Sequence, residues 1–278
     1  MKYQVRYGAH PDDVKGYDTH RLRDSFLIET LFEPDDIQLV YSMFDRYIVG
    51  GAMPQKGPLH LETIDPLKSD FFLQRRELGI INVGGPAHIH ADQQTYELGY
   101  KEALYLGMGT RDVTFESVNP AEPALLYLNS APAHHAYPCK LIRREDAEVV
   151  ELGSLETANA RTIRKLIVSS VVEVCQLQMG MTELKTGSVW NTMPAHTHDR
   201  RMEAYFYFEV PAGQSVCHMM GQPQETRHIW MQNHQAVLSP AWSIHCGAGT
   251  SNYTFIWGMA GENLNYGDMD THAITDLR

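Results

Sequence analysis

Long apolar runs are missing from this sequence. No stretch approaches the roughly 18 consecutive apolar residues that a membrane-spanning helix needs, and the opening MKYQVRYGAHPDD has no apolar run of the signal-peptide kind. The expectation is a soluble, cytoplasmic protein. Cysteine is also scarce: Cys139, Cys175, Cys217 and Cys246 are scattered with no CxxC pair, which argues against a disulfide framework and for reduced, buried thiols. Positive charge is in deficit, with 23 Lys and Arg against 34 Asp and Glu for a formal charge of −11. The basic clusters, Arg143-Arg144 and 161–165, are short and not interleaved with aromatics, so nucleic acid is excluded as a partner. Amphipathic helices are few: residues 20–32 have a helical apolar rhythm at Leu22, Phe26, Leu27 and Leu31, and a short helix fits near 66–74.

What is abundant is strand signal. Apolar residues make up 43% and aromatics 10% of the 278 residues, enough for one large or two medium cores. Segments such as 37–54, 78–90, 124–130, 173–184, 204–210 and 252–260 are β-branched or aromatic and bounded by Gly, Pro, Asn or Asp. Turn signals about every 8 to 12 residues predict a mainly β protein of sandwich or barrel type. Residues 74–110 and 199–245 also resemble each other weakly, each opening on Arg-Arg, a Glu and an apolar strand. Two similar units are therefore expected: an N-terminal barrel over 1–140, a charged connector over 141–165, and a C-terminal barrel over 166–278.

Histidine is plentiful, with 14 copies. In NTMPAHTHDRRMEAYFYF (191–208), His196 and His198 stand two apart, so an extended chain projects both imidazoles from one face. Glu203 has the opposite parity and joins them only if Asp199-Arg200-Arg201 turns the chain. A fourth ligand must come from a neighbouring strand, and His245 in SPAWSIHCG is the best candidate. Three imidazoles and a carboxylate suit Zn, Fe, Mn or Ni and leave positions open for substrate. An HxH pair taken alone equally fits the polar face of an ordinary strand.

The spacing His196, His198, Glu203 and the later Pro240 and His245 resembles the two motifs of the cupin superfamily, with Trp242 and Gly249 departing from the second. Over essentially the whole chain, NTMPAHTHDRRMEAYFYF, HMMGQPQETRHI, SPAWSIHCG and YTFIWGMAGEN look like the 5-dehydro-4-deoxy-D-glucuronate isomerase family. The resemblance implies a bicupin with a few short helices, a homohexamer, and one Zn2+ per subunit on His196, His198, Glu203 and His245. It also implies an aldose-ketose isomerase of pectin and uronate breakdown, taking a small keto-deoxy-uronate to 3-deoxy-D-glycero-2,5-hexodiulosonate.

Matching Glu77 to Glu203 puts Asp70 and Phe72 where the histidines would stand, so the N-terminal barrel is expected to lack a metal site. His88 and His90 form a second HxH, but Thr95 stands where the Glu would be, and they read as hairpin residues. Candidate bases for proton transfer are Tyr205, His218 and His228, while a hydride shift needs none. Candidates to bind the substrate are Arg201, Arg227 and Gln222, with Arg161 and Arg164 also eligible for its carboxylate. An iron-dependent cupin dioxygenase and a non-catalytic sugar-binding cupin are the alternatives.

Overall fold

The computed structural model describes residues 1–278 and is mainly β. The chain folds into two compact units. The first comprises Met1–Arg6, Thr30–Glu148 and Lys165–Met179; the second comprises Tyr7–Glu29, Val149–Arg164 and Gly180–Arg278. Neither unit is one continuous stretch of chain. The 141–165 segment, expected as a connector, forms the strands Glu148–Leu152 and Arg161–Ile167. Residues Glu148–Leu152 are mostly exposed, at the end of a sheet, which explains why their charged sequence carries no apolar strand signal.

The first unit contains a seven-stranded sheet in the order Lys2–Arg6, Ile37–Ser42, Ile48–Ala52, Leu126–Pro132, Arg76–Asn82, Ala103–Leu106, Lys140–Ile142. A four-stranded sheet, Leu59–His60, Val113–Ser117, Ala87–Ala91, Gln94–Leu98, accompanies it. Leu78 and Ile80 from the first sheet and Ile89 and Phe115 from the second belong to one buried hydrophobic core. His88 and His90 do lie in a hairpin, on the strand that pairs with Gln94–Leu98.

Period-2 alternation then puts Glu77 on the opposite face of its strand from Leu78. Its carboxylate accepts from the backbone N–H groups of Cys175, Gln176 and Leu177 and from the Tyr105 hydroxyl, all at 2.7–2.8 Å. The match of Glu77 with Glu203 is therefore corrected by one residue. Arg75-Arg76-Glu77-Leu78 runs in register with Arg200-Arg201-Met202-Glu203, so Leu78 stands in the place of Glu203 and the buried Leu73 in that of His198.

The second unit repeats the plan. Its seven-stranded sheet runs Glu148–Leu152, Arg161–Ile167, Gln178–Leu184, Thr254–Gly261, Arg201–Phe208, Gln235–Ser239, Leu27–Ile28. The four-stranded sheet runs Trp190–Asn191, Cys246–Gly249, Val216–Gln222, Glu225–Met231. Here the inward residues of Arg201–Phe208 are Arg201, Glu203, Tyr205 and Tyr207, and the rings of Tyr205 and Phe255 lie 4.6 Å apart.

The helix expected over 20–32 is shorter. It spans Thr19–Phe26, capped by Asp18 Oδ1, which accepts from the Arg21 N–H, and buries Leu22 and Phe26. It ends there because Leu27 and Ile28 pair with Val237 and Ala236 as a strand. The segment near 66–74 holds only a 3₁₀ turn at Asp65–Leu67. No helix is long and apolar enough to cross a membrane.

Candidate metal centre

His196 lies on a two-residue strand, His196–Thr197, which pairs with Asp270–Thr271 near the C-terminus. The chain then turns at Asp199-Arg200, closed by the Arg201 N–H donating to the His198 carbonyl at 3.3 Å. This turn removes the parity conflict and lets Glu203 face the same point as the histidines. His245 arrives from the turn after Pro240, where the Ser243 N–H donates to the Pro240 carbonyl.

The four side chains offer ligand atoms that all lie within 4.8 Å of one another. Glu203 Oε2 is 3.0 Å from both His198 Nε2 and His245 Nε2, and His245 Nε2 is 3.0 Å from His196 Nε2. Metal bonds of about 2.1 Å at right angles separate neighbouring ligand atoms by about 3.0 Å, so the spacing suits a divalent ion.

The far sides of two rings sharpen this reading. His198 Nδ1 lies 3.0 Å from the Arg201 carbonyl and His245 Nδ1 3.2 Å from that of Ser243. A carbonyl only accepts, so each Nδ1 carries the proton, and in the neutral ring Nε2 is left as a lone pair. Two lone pairs then face a carboxylate with no proton between them, in a buried site. Such a set is stable around a cation. For His196, burial pushes the pKa down to about 3, so this ring too is neutral.

A cavity of about 260 Å³ opens beside the cluster. His196, His198, Glu203 and Tyr205 line it, as do Arg161 and Trp257. Its far wall is Tyr266, Met269 and Thr271, from the C-terminal segment. Nothing local in the sequence marks those three; they reach the site through the pairing of Asp270–Thr271 with His196–Thr197.

The other candidates divide sharply. Tyr205 lines the cavity, its hydroxyl 2.8 Å from the Thr192 hydroxyl. Burial, then the nearby Glu203, raise its pKa well above the ordinary phenol value, so the phenol is neutral. His218 is fully buried behind the wall, with Nδ1 2.8 Å from the Tyr207 hydroxyl and Nε2 without a partner. Burial lowers its pKa to about 3. His228 is corrected outright: it is exposed on Glu225–Met231, in a surface cleft with Tyr17 and Trp230.

Arg227 lines that same cleft, pairs with Glu225 at 2.9 Å and donates to the Lys15 carbonyl. Gln222 ends its strand opposite Glu225 and is not part of the cavity wall. None of these three lines the cavity. Arg201 does touch the cavity, but its guanidinium donates to the carbonyls of Asn265, Tyr266 and Asp268. It binds the protein's own backbone.

The model of the KduI/IolB family matches residues 27–275. A 4-deoxy-L-threo-5-hexosulose-uronate ketol-isomerase of Formosa agariphila is 62% identical over 277 residues, covering 100% of this chain and 99% of that one. A Bacteroides fragilis protein of the same name is 61% identical over 276 residues, covering 99% of each chain. Among solved structures, an IolB-like protein from Salmonella typhimurium LT2 matches with a TM-score of 0.72 at 17% identity, over 89% of this chain and 96% of that one. At that identity the likeness speaks for the fold alone. The sequence matches span the chain and the names agree: the protein belongs to the KduI/IolB family and is an isomerase.

Proposed function

We propose that the chain is a zinc-dependent aldose-ketose isomerase that converts 5-dehydro-4-deoxy-D-glucuronate to 3-deoxy-D-glycero-2,5-hexodiulosonate. One ion per subunit is held by His196, His198, Glu203 and His245. The observation that carries this reading is the convergence of three imidazole nitrogens and a buried carboxylate at the edge of a cavity sized for a single sugar. The names of the full-length relatives, uronate ketol-isomerases, support the choice of reaction. A cytoplasmic location and a homohexameric assembly complete the proposal and rest on the family likeness.

A bound divalent ion would supply Lewis acidity, polarising the substrate aldehyde and its neighbouring hydroxyl. The remaining work falls to the chain. The Arg201 and Ser243 carbonyls fix the His198 and His245 tautomers, so their Nε2 lone pairs need no reorganisation. Tyr205, a neutral phenol held by Thr192, donates a hydrogen bond to a substrate oxygen as charge develops there. Phe255, Trp257 and Met259 give the cavity buried apolar wall, which limits the water that would weaken these interactions. In the overall change the hydrogen on the carbinol carbon moves to the former aldehyde carbon, and the hydroxyl proton moves to its oxygen.

The test is to incubate the purified protein with the keto-deoxy-uronate released from unsaturated uronates and follow the carbonyl by NMR. Loss of the aldehyde hydrate and growth of a terminal CH₂OH are expected. An unchanged spectrum overturns the proposal.

A further inference from the structure

A uronate carries an anion at the end opposite its aldehyde, and the ligand cluster accounts for only one end. Four arginines are eligible by sequence to meet the other, and the structure separates them. Arg201 commits Nη1 and Nη2 to three backbone carbonyls, which leaves a lone buried Nε and no two-nitrogen edge for a carboxylate. Arg227 is bound to Glu225 and the Lys15 carbonyl, in a different cleft. Arg164 Nε donates to Glu183 Oε2 at 2.7 Å in a partly buried ion pair. Arg161 remains, and it lines the cavity together with His196, His198 and Glu203.

Arg161 opens the strand Arg161–Ile167 and is partly buried, with a single protein hydrogen bond, from Nη1 to the Asn159 carbonyl at 2.9 Å. That bond leaves the Nε and Nη2 edge uncommitted, the edge that grips a carboxylate through two parallel bonds. No carboxylate of the chain pairs with it, and the neighbouring hydroxyls of Tyr205 and Tyr266, which line the same cavity, are neutral phenols. Its anchor is itself fixed. Asn159 Oδ1 accepts from the Ser154 N–H and the Thr157 hydroxyl, and the Asn159 N–H donates to the Ser154 carbonyl. A half-desolvated cation without a counter-ion, held rigid and facing a cavity, is built for an anionic ligand.

We propose that Arg161 is the specificity-determining residue of this isomerase, binding the substrate carboxylate through its free guanidinium edge while the aldehyde end lies at His196, His198, Glu203 and His245. This role rests on the uronate being the substrate. It explains how the site would prefer an acidic sugar over a neutral one of the same length.

The test compares wild type, Arg161→Ala and Arg161→Lys. With the keto-deoxy-uronate, Arg161→Ala should raise KM by roughly 10- to 100-fold with a much smaller fall in kcat, as expected for loss of a charge-assisted pair remote from the reacting carbons. Arg161→Lys, which keeps the charge but not the fork, should fall between. Bound metal measured by elemental analysis should not change, and methylguanidinium should lower the raised KM of Arg161→Ala, which a merely structural arginine would not allow. D-glucuronate and D-glucose serve as competitive ligands: wild type should prefer glucuronate, and Arg161→Ala should bind both alike. A KM within twofold of wild type, or a preserved preference for glucuronate, overturns the proposal. If Arg161→Ala does not fold, Arg161→Lys is decisive through the same preference. Failure of the wild type to turn over the keto-deoxy-uronate would instead sink the reaction assignment, and the glucuronate comparison would still judge Arg161.

Discussion

Glu203 is an anion with 5% of its surface exposed, flanked by imidazoles whose protons point away from it. Without a cation that arrangement is costly, because a buried charge needs a partner of opposite sign. Glu203→Gln keeps the shape and removes the charge. It should cut bound divalent metal to well below one per chain and lower kcat/KM by about 100-fold or more, since a neutral amide is a poor ligand. Metal analysis of the purified variant checks this.

His218 makes a separate prediction about pH. Its folded-state pKa, about 3, lies below the ordinary value of 6.5, so the unfolded chain binds the proton more readily. Its neutral burial favours folding fully above pH 6.5, and that contribution is lost as pH falls from about 6.5 toward 3, at most about 1.4 kcal/mol per pH unit. His218→Gln should therefore flatten the acid limb of stability measured by denaturant unfolding. An acid limb as steep as that of wild type would argue against it.

At the scale of elements, the two strands opening on Arg-Arg show what one residue of register decides. In Arg201–Phe208 the inward parity carries Arg201, Glu203, Tyr205 and Tyr207; in Arg76–Asn82 it carries Arg76, Leu78, Ile80 and Asn82. Glu77, turned the other way, ties down the 175–177 backbone. Glu77→Gln replaces an acceptor oxygen by an N–H₂ facing donors and should cost about 2–3 kcal/mol of stability while leaving bound metal unchanged. Thermal unfolding with metal analysis tests both halves.

Arg201 likewise pins the Asn265–Asp268 segment through three carbonyls. Arg201→Ala should speed hydrogen exchange at His272, whose N–H donates to the Ala195 carbonyl, and cost about 2–4 kcal/mol. The ligand set was legible in sequence because spacing of two, five and forty-two residues survives as strand parity and turn geometry. The division among arginines was not. Whether Arg201 or Arg161 is free depends on carbonyls up to 67 residues away, and no local pattern encodes that.

At the scale of the whole molecule, the mainly β class follows from short, turn-bounded apolar segments, and the long chain supplies two cores. The assignment of segments to units was hidden because it rests on long-range pairing. Leu27–Ile28 joins a sheet through residues 236 and 237, about two hundred positions onward. Each unit has a hydrophobic core of its own: Leu78, Ile80, Ile89 and Phe115 are buried in the first, and Phe206, Phe208, Ile229 and Leu238 in the second. Chelation should therefore lower the melting temperature yet leave far-UV circular dichroism and hydrodynamic radius unchanged at 25 °C, unlike a small zinc-folded domain.

In the proposed reading activity turns on the ion, and the most direct measurement is carbonyl migration followed by NMR on one preparation, first as purified, then stripped by a chelator, then given one equivalent of Zn2+ per chain. Turnover lost on stripping and recovered on addition is the predicted result. Turnover that persists in the stripped protein, with no metal found by elemental analysis, would contradict it.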